Sequence, residues 1–562
     1  MVKRFFYFRV YLIALLLLFC FVSVGVRHLY LVTRQAEFLV EQSSERTKRN
    51  MQLKAQRGAI LDRNRIPLSV NLPAYRLKIY PKQVKDPADV KKLKQVLGKS
   101  HSIEKLLNAS QNFVYVPGTL TRAQVKQLTQ LQGVEIEEVS NRYYPFSHST
   151  SAIVGVLGRE WQGLLGLEYQ FNDWLTGTDG SMQYTQNLLH QVHTVHAYHK
   201  PVVGGDLLLT LDTRLQQLGY QILANAVDHH DAKSASAVIL EVETGDVLAM
   251  LNYPSFNPNI RLSKVDEHTK NKSISNLFEP GSIIKPLAMA SILSHQYYKP
   301  NYMIETSAEG HLVGSQYIKD HKYLGVLKFE DVLVKSSNIA MIKLTEQLPD
   351  DYLVNTYHKM GLFTSSYLPL YGENVGKYLK VSDANKLTMS YGYGLAVNLM
   401  SMARAYNIIA NKGLDVGLHL LLKGNRVRPE AVLSEDVTQY ITQLMTRVTK
   451  YGVSSRSAAI EGVSVAGKSG TTHTLSEYGK YEDEYIASFA GFAPSNNPKI
   501  VIAVMVERPR KNGHYGGQVA APIFAKLLHL ALSYYDSKEG TYVRGEGALS
   551  GTTVGLADKA GL

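Results

Sequence analysis

The apolar positions of this chain change their spacing from one region to the next. Val10 to Val26 is unbroken by charge, and Phe5 to Phe8 lengthen the stretch. About 20 apolar residues in a helix cross a bilayer. The segment therefore predicts an uncleaved transmembrane helix over 10–30 behind a cytoplasmic stub, 1–9, that carries Lys3, Arg4 and Arg9. Ser23-Val24-Gly25 would pass as a cleavage site, but the run is long for a removable leader. Arg27 and Arg34 lie just beyond it, so flanking charge says little about orientation. Leu29, Val32, Ala36 and Leu39 then recur at helical spacing. They predict a juxtamembrane helix over 31–56, its stripe covered either by a partner helix or by the chain's own domain.

From Arg57 to about Pro201, short strands alternate with charged helices, two of them at Asp86–Leu97 and Thr121–Leu131. Residues 57–203 read as a spacer or docking module, a pedestal. Gly204-Gly205-Asp206 opens a different regime. Leu207–Leu211 reads as a strand. Asp212 can cap a helix with apolar positions Leu215, Leu218, Ile222 and Ala226. Ala235–Val242 and Val247–Tyr253 flank Glu243-Thr244-Gly245-Asp246 as a hairpin. Ser275 to Val448 is largely helical in pattern. Strands return at Ser464–Thr472, Tyr485–Phe492 and Ile500–Glu507, and Ala521–Tyr535 closes as a helix. Ile500 to Val506 is apolar without alternation, which predicts cover on both faces. The fold class is α/β multidomain: an anchor helix, an α+β pedestal, and a domain over 204–536 whose sheet comes from both ends around a helical insert. Ser537 to Leu562, rich in Gly, Ser and Thr, reads as a disordered tail.

Composition narrows the function. The 562 residues carry a net charge of +13. No zinc-finger spacing or aromatic RNA-binding signature accompanies it, so the reading is no nucleic acid; an anionic membrane or polymer fits the charge. Cys20 is the single cysteine, which excludes an intrachain disulfide and a cysteine metal site. His190, His193, His196 and His199 lie three apart. Strand geometry would alternate them between faces and no acidic residue is interleaved, so an exposed hairpin or linker is favoured over a metal site. The expectation is no metal and no cofactor.

Candidate chemistry centres on Glu279-Pro280-Gly281-Ser282-Ile283-Ile284-Lys285-Pro286. Pro-Gly delivers a serine to a helix start, where proline is tolerated at Pro286. Residues i and i+3 share a helix face, so Ser282 and Lys285 pair a hydroxyl nucleophile with an amine base. Free N–H groups there can also stabilise an oxyanion. Alone, this spacing arises by chance and also suits a solvated helix face. Lys335-Ser336-Ser337-Asn338 adds a hydroxyl for proton relay at Ser336 and a carboxamide at Asn338 that could hold an amide; a helix cap explains it equally well. Gly467-Lys468-Ser469-Gly470-Thr471-Thr472 offers a lysine and hydroxyls for a carboxylate, and small residues for an extended peptide added as a strand. An ordinary edge strand is the plain alternative.

Taken together and in this order, the three motifs resemble the active-site serine set of penicillin-binding proteins and serine β-lactamases. The resemblance extends to the class B penicillin-binding proteins. The anchor, Arg57-Gly58 through Ser69, Arg142-Tyr143-Tyr144-Pro145 and Gly166-Leu167-Glu168 are similar to the pedestal of that class. Ser336-Ser337-Asn338-Ile339-Ala340, Tyr391-Gly392-Tyr393-Gly394-Leu395 and Tyr515-Gly516-Gly517 are similar to its division-specific branch. One departure is Ser469, where the family usually has threonine; the hydroxyl survives, though drug affinity could differ.

The resemblance implies an antiparallel sheet flanked by helices, an all-helical subdomain, and a peptidoglycan D,D-transpeptidase. Ser282 would attack the penultimate D-alanine of a stem peptide ending in D-Ala-D-Ala. Lys285 would be the neutral base, kept so by burial and by Lys468. Ser336 would relay the proton, and backbone N–H groups of Ser282 and Thr471 would form the oxyanion hole. Ser469, Gly470 and Thr471 would bind the donor and its carboxylate. β-Lactams would trap Ser282. Implied partners are the bilayer, a membrane glycosyltransferase of the FtsW kind and other division proteins, with the body in the periplasm. The elongation-specific transpeptidase, a β-lactamase or carboxypeptidase, and a non-catalytic β-lactam sensor or scaffold remain as alternatives.

Overall fold

Val2–Arg34 forms one helix, and its apolar side chains from Phe5 to Val26 are exposed. The computed structural model describes residues 2–98, 102–158, 160–186, 192–295, 298–424, 426–475 and 480–538. Among these, this is the one helix long and apolar enough to cross a membrane. The chain breaks at Gln35, and a second helix runs from Ala36 to Thr47. Leu29, Val32 and Leu39 are exposed, so the chain leaves its juxtamembrane stripe open.

The juxtamembrane helix stops short of residue 56. Lys48–Leu53 is instead a strand, paired antiparallel with Gly180–Gln186, which pairs in turn with Val192–His199. A partner some 130 residues away overrides local helical spacing. His190 lies outside the described residues. His193, His196 and His199 are exposed on the last of these strands, where His196 Nε2 lies 2.6 Å from Thr185 Oγ1. Residues 1–58 and 173–205 form one compact unit; 59–172 and 206–562 form another.

In the second unit, Pro67–Ile79 pairs antiparallel with Val134–Tyr143. Leu77 and Ile79 pack against Leu93 and Leu128 of two flanking helices. Those helices start where their caps dictate. The Asp86 carboxylate accepts from Ala88 N with Pro87 next in line, and Thr121 and Gln124 close a capping box. The motifs around Arg142 and Gly166 meet in a buried ion pair. Arg142 Nε is 2.7 Å from Glu168 Oε1, which also accepts from Ser69 Oγ at 2.8 Å. Removing one member of a buried pair leaves an uncompensated charge, at a cost of about 3–5 kcal/mol. Glu168→Ala is expected to lower the unfolding temperature accordingly; an unchanged thermal melt would show that the pair contributes little.

Asp212 caps the helix Thr213–His230 with its carboxylate. The main sheet is antiparallel throughout, in the order Val247–Tyr253, Ser234–Glu241, Ile500–Glu507, Tyr481–Ala493, Ala466–Leu475. The last strand in sequence therefore occupies the middle. Ile500 through Val506 is buried, as its unbroken apolar run predicts. Thr213–His230 and Gly516–Lys538 share a core with one face, and Leu399–Ala410 packs on the sheet as well. Ser537 and Lys538 end the last helix; the tail from 539 lies outside the described residues.

The insert is not all-helical. Beside its helices it carries short ladders, including Met303–Glu305 with Val326–Lys328 and His311–Val313 with Gln316–Ile318. Gly310 and Gly314 have positive φ and flank the first strand of the second ladder. Pairs of three residues are too short to show an alternating pattern.

Candidate active site

Ser282 sits in a 3₁₀ turn, Gly281–Ile284, and the α-helix itself begins at Lys285 and ends at His295. Such turns are common at helix starts, so the serine precedes the α-helix that its spacing suggested. Pro286 is the helix's second residue, where a missing N–H is harmless. Gly281 is required twice over. Its φ is +54°, and a Cβ there would lie 2.5 Å from Thr472 Cγ2. Its N–H donates to Gly392 O at 3.1 Å.

Lys285 is fully buried. Its Nζ donates to Ser336 O at 2.7 Å, to Asn338 Oδ1 at 2.7 Å and to Ser336 Oγ at 3.3 Å. Ser336 Oγ in turn lies 3.3 Å from Ser282 Oγ and donates to it. The connection from lysine to nucleophile thus runs through the second serine. Ser336 can bridge them because it ends the helix Val332–Lys335 in the left-handed region, φ 56°. Ser337 then caps the helix Asn338–Thr345 through Ala340 N. The cap reading holds at Ser337, while Ser336 and Asn338 on either side of it meet Lys285.

Lys468 comes from the terminal strand Ala466–Leu475, which pairs on one side only within the main sheet. It is buried, and its Nζ donates to Ser469 O at 2.9 Å. Strand alternation sends Lys468, Gly470 and Thr472 one way and Ser469 and Thr471 the other. A Cβ on Gly470 would lie 2.9 Å from Pro280 O, so strand and serine turn are nested. Ser469 Oγ is 3.2 Å from Ser455 Oγ, and Thr471 Oγ1 accepts from Gly516 N at 2.9 Å. The structure therefore groups Ser282, Lys285, Ser336 and Asn338 through hydrogen bonds, and sets the Lys468 to Thr471 strand against their turn.

Burial pushes Lys285 well below the usual lysine range; the charge of Lys468 pushes the same way, and Asp320 opposes both. Lys468 is itself pushed down, to about 8, by burial. A buried lysine held below its ordinary pKa, two hydroxyls and a second buried lysine are groups that serine acyl transfer can use.

Sequence reading missed the supports. Tyr406 OH, fully buried, donates to Ile283 O at 2.7 Å beneath the nucleophile turn. Glu279 accepts from Gly394 N at 2.9 Å and from Tyr481 OH at 3.0 Å. Burial pushes its carboxyl above the usual range. The Tyr391-Gly392-Tyr393-Gly394 run meets the turn through Gly392 O, which accepts from Gly281 N, and through Gly394 N, which donates to Glu279, contacts that no spacing in the sequence marks. Asp320 gave no signal at all: it accepts from Ser337 Oγ at 2.6 Å and from the N–H groups of Asn338 and Ile339.

Fold and site together define a penicillin-interacting serine enzyme. Residues 235–529 match the penicillin-binding protein transpeptidase domain, and 52–209 match the penicillin-binding protein dimerisation domain. The chain is 32% identical over 506 residues to the peptidoglycan D,D-transpeptidase FtsI of Escherichia coli K12, covering 88% of this chain and 86% of that one. It is 31% identical over 528 residues to FtsI of Buchnera aphidicola subsp. Schizaphis graminum, covering 91% and 92%. Its fold matches penicillin-binding protein 2X of Streptococcus thermophilus with a TM-score of 0.72 at 21% identity, over 88% of this chain and 82% of that one. The chain belongs to the class B penicillin-binding proteins, in the FtsI group.

Proposed function

We propose that this chain is a septal peptidoglycan D,D-transpeptidase acting through an acyl-enzyme on Ser282. The observation that carries the assignment of roles is the buried Lys285, joined to Ser282 through Ser336. Lys285, neutral, takes the Ser282 proton as Oγ attacks the penultimate D-alanine carbonyl of the donor stem peptide. Backbone N–H groups of Ser282 and Thr471 hold the oxyanion. Ser336 passes the proton to the departing D-alanine nitrogen. Asn338 holds the donor's amide, and Ser469 and Thr471, in the field of Lys468, hold its terminal carboxylate. Gly470 lets the peptide lie along the open edge of the strand. An amine from a neighbouring stem peptide then attacks the Ser282 ester, giving the cross-link and restoring the hydroxyl. β-Lactams mimic the donor and stop at the ester.

In this reading the stub 1–9 lies in the cytoplasm and the body in the periplasm, which is supported by where this substrate resides. The open stripe of Leu29, Val32 and Leu39 is the contact for a membrane glycosyltransferase of the FtsW kind. Replacing Leu29 and Val32 with serine is expected to weaken co-purification with that partner while penicillin labelling stays at the wild-type level; unaltered co-purification removes the stripe from consideration.

The assignment is tested by fluorescent-penicillin labelling combined with depletion. One stable label at Ser282 and filamentous cells are expected. Rapid turnover of penicillin would mark a β-lactamase instead. Rounded cells would mark the elongation-specific enzyme, and a label without cross-linked product would mark a sensor.

A further inference from the structure

Asp320 lies outside every motif, yet its carboxylate accepts from three donors at the start of the Asn338–Thr345 helix: Ser337 Oγ, Asn338 N and Ile339 N. A negative charge at a helix N-terminus is favoured by the free N–H groups there. The segment that carries Asp320 is anchored independently. It follows the hairpin His311–Val313 and Gln316–Ile318, whose Val313 and Ile318 pack with Ile342 of the same helix. At the opposite end of that helix, His311 Nε2 lies 2.7 Å from Glu346 Oε1. One hairpin thus grips both ends of the helix whose first residue, Asn338, receives the Lys285 ammonium or amine.

We propose that Asp320 is a positioning residue for acylation: through the helix cap it fixes Ser336 and Asn338 against Lys285, and its charge offsets that of Lys468 at the base. The proposal rests on the reading of Lys285 as the base for Ser282. The charged groups that face Lys285 are Lys468, from the terminal strand, and Asp320 itself. Lys319, next to Asp320 in the chain, and Lys335, just before the second serine, are exposed to solvent. A carboxylate at position 320 makes Lys285 hold its proton more tightly than Lys468 alone would allow. Removing it should slow acylation by disordering the cap, while letting Lys285 become neutral at lower pH. A purely structural carboxylate would do only the first.

The experiment is the pH profile of acylation by a fluorescent penicillin, measured on the full chain in detergent for wild type, D320N and S337A. Wild-type labelling at Ser282 with an acid limb, lost in Lys285→Ala, establishes the underlying reading; its failure is a failure of that reading and not of this one. D320N is expected to lower the plateau rate roughly ten- to a hundredfold, as small displacements in a site do, and to move the acid limb to lower pH. S337A keeps the charge and loses two bonds at the cap, the one to Asp320 and the one from Ala340 N; it is expected to slow acylation severalfold with the acid limb unmoved. A D320N rate close to wild type, or a slower rate with an unmoved limb, overturns the proposal. Should D320N fail to fold, D320S decides on the same two readouts: a slower plateau with the acid limb at lower pH supports the proposal, and an unmoved limb overturns it.

Discussion

Ser282→Ala is expected to abolish covalent labelling by fluorescent penicillin and to remove cross-linking activity. Losses of a serine nucleophile reach the order of 10⁶-fold, because the remaining groups act as a unit around it. The substitution should leave the fold intact, since Ser282 is half-buried and its Oγ is held by one bond, from Ser336. Intact-mass spectrometry after penicillin exposure reads the result directly. An adduct on the variant, mapped to Ser336 or any other hydroxyl, would overturn the assignment of the nucleophile. Thermal melting of the same sample separates lost chemistry from lost structure.

Lys285→Ala carries the next largest effect. A positioned base contributes about 10²–10⁴-fold, so acylation should slow by that much while ligand binding before acylation changes less. The pH profile gives the sharper readout. As the proposed base, Lys285 must be neutral to accept the serine proton, so the wild-type rate is expected to rise with pH through a value well below the usual lysine range, the direction set by burial and Lys468. If Lys468 attracts the donor carboxylate as proposed, it must stay charged, and the rate constant for free enzyme should fall again as that lysine, pushed down to about 8 by burial, loses its proton. The expected curve is a bell. Lys285→Ala should lose the acid limb and keep the alkaline one. Acylation at near-normal rate would show that another group is the base.

Most of the site was legible because its parts are local. Ser282 with Lys285, Ser336 with Asn338, and Lys468 with Thr471 each lie within a few residues, and short spacing survives without knowledge of the fold. What the sequence concealed were the supports. Tyr406 reaches the nucleophile turn from a helix more than 120 residues downstream, and nothing in its neighbourhood marks it. Asp320 acts from a loop after a three-residue ladder, too short for a periodic signal. The same division holds for the fold. Ile500–Glu507 declared itself by an apolar run without alternation, which only a doubly covered strand needs. Lys48–Leu53 did not, since its strand character depends on Gly180–Gln186 and not on its own residues.

The position of Ile500–Glu507 at the centre of the sheet has a consequence for biogenesis. Ribosomes deliver the nucleophile turn more than 200 residues before the strand that joins the sheet's two halves. Until then, Ser234–Glu241 and Tyr481–Ala493 have no common neighbour, and the two ends of the sheet are not joined. Pairings of such separation form late and slowly. A nascent or prematurely terminated chain would thus carry Ser282 in an unassembled site. Synthesis of the serine turn and completion of the site are separated in time by the order of the strands alone.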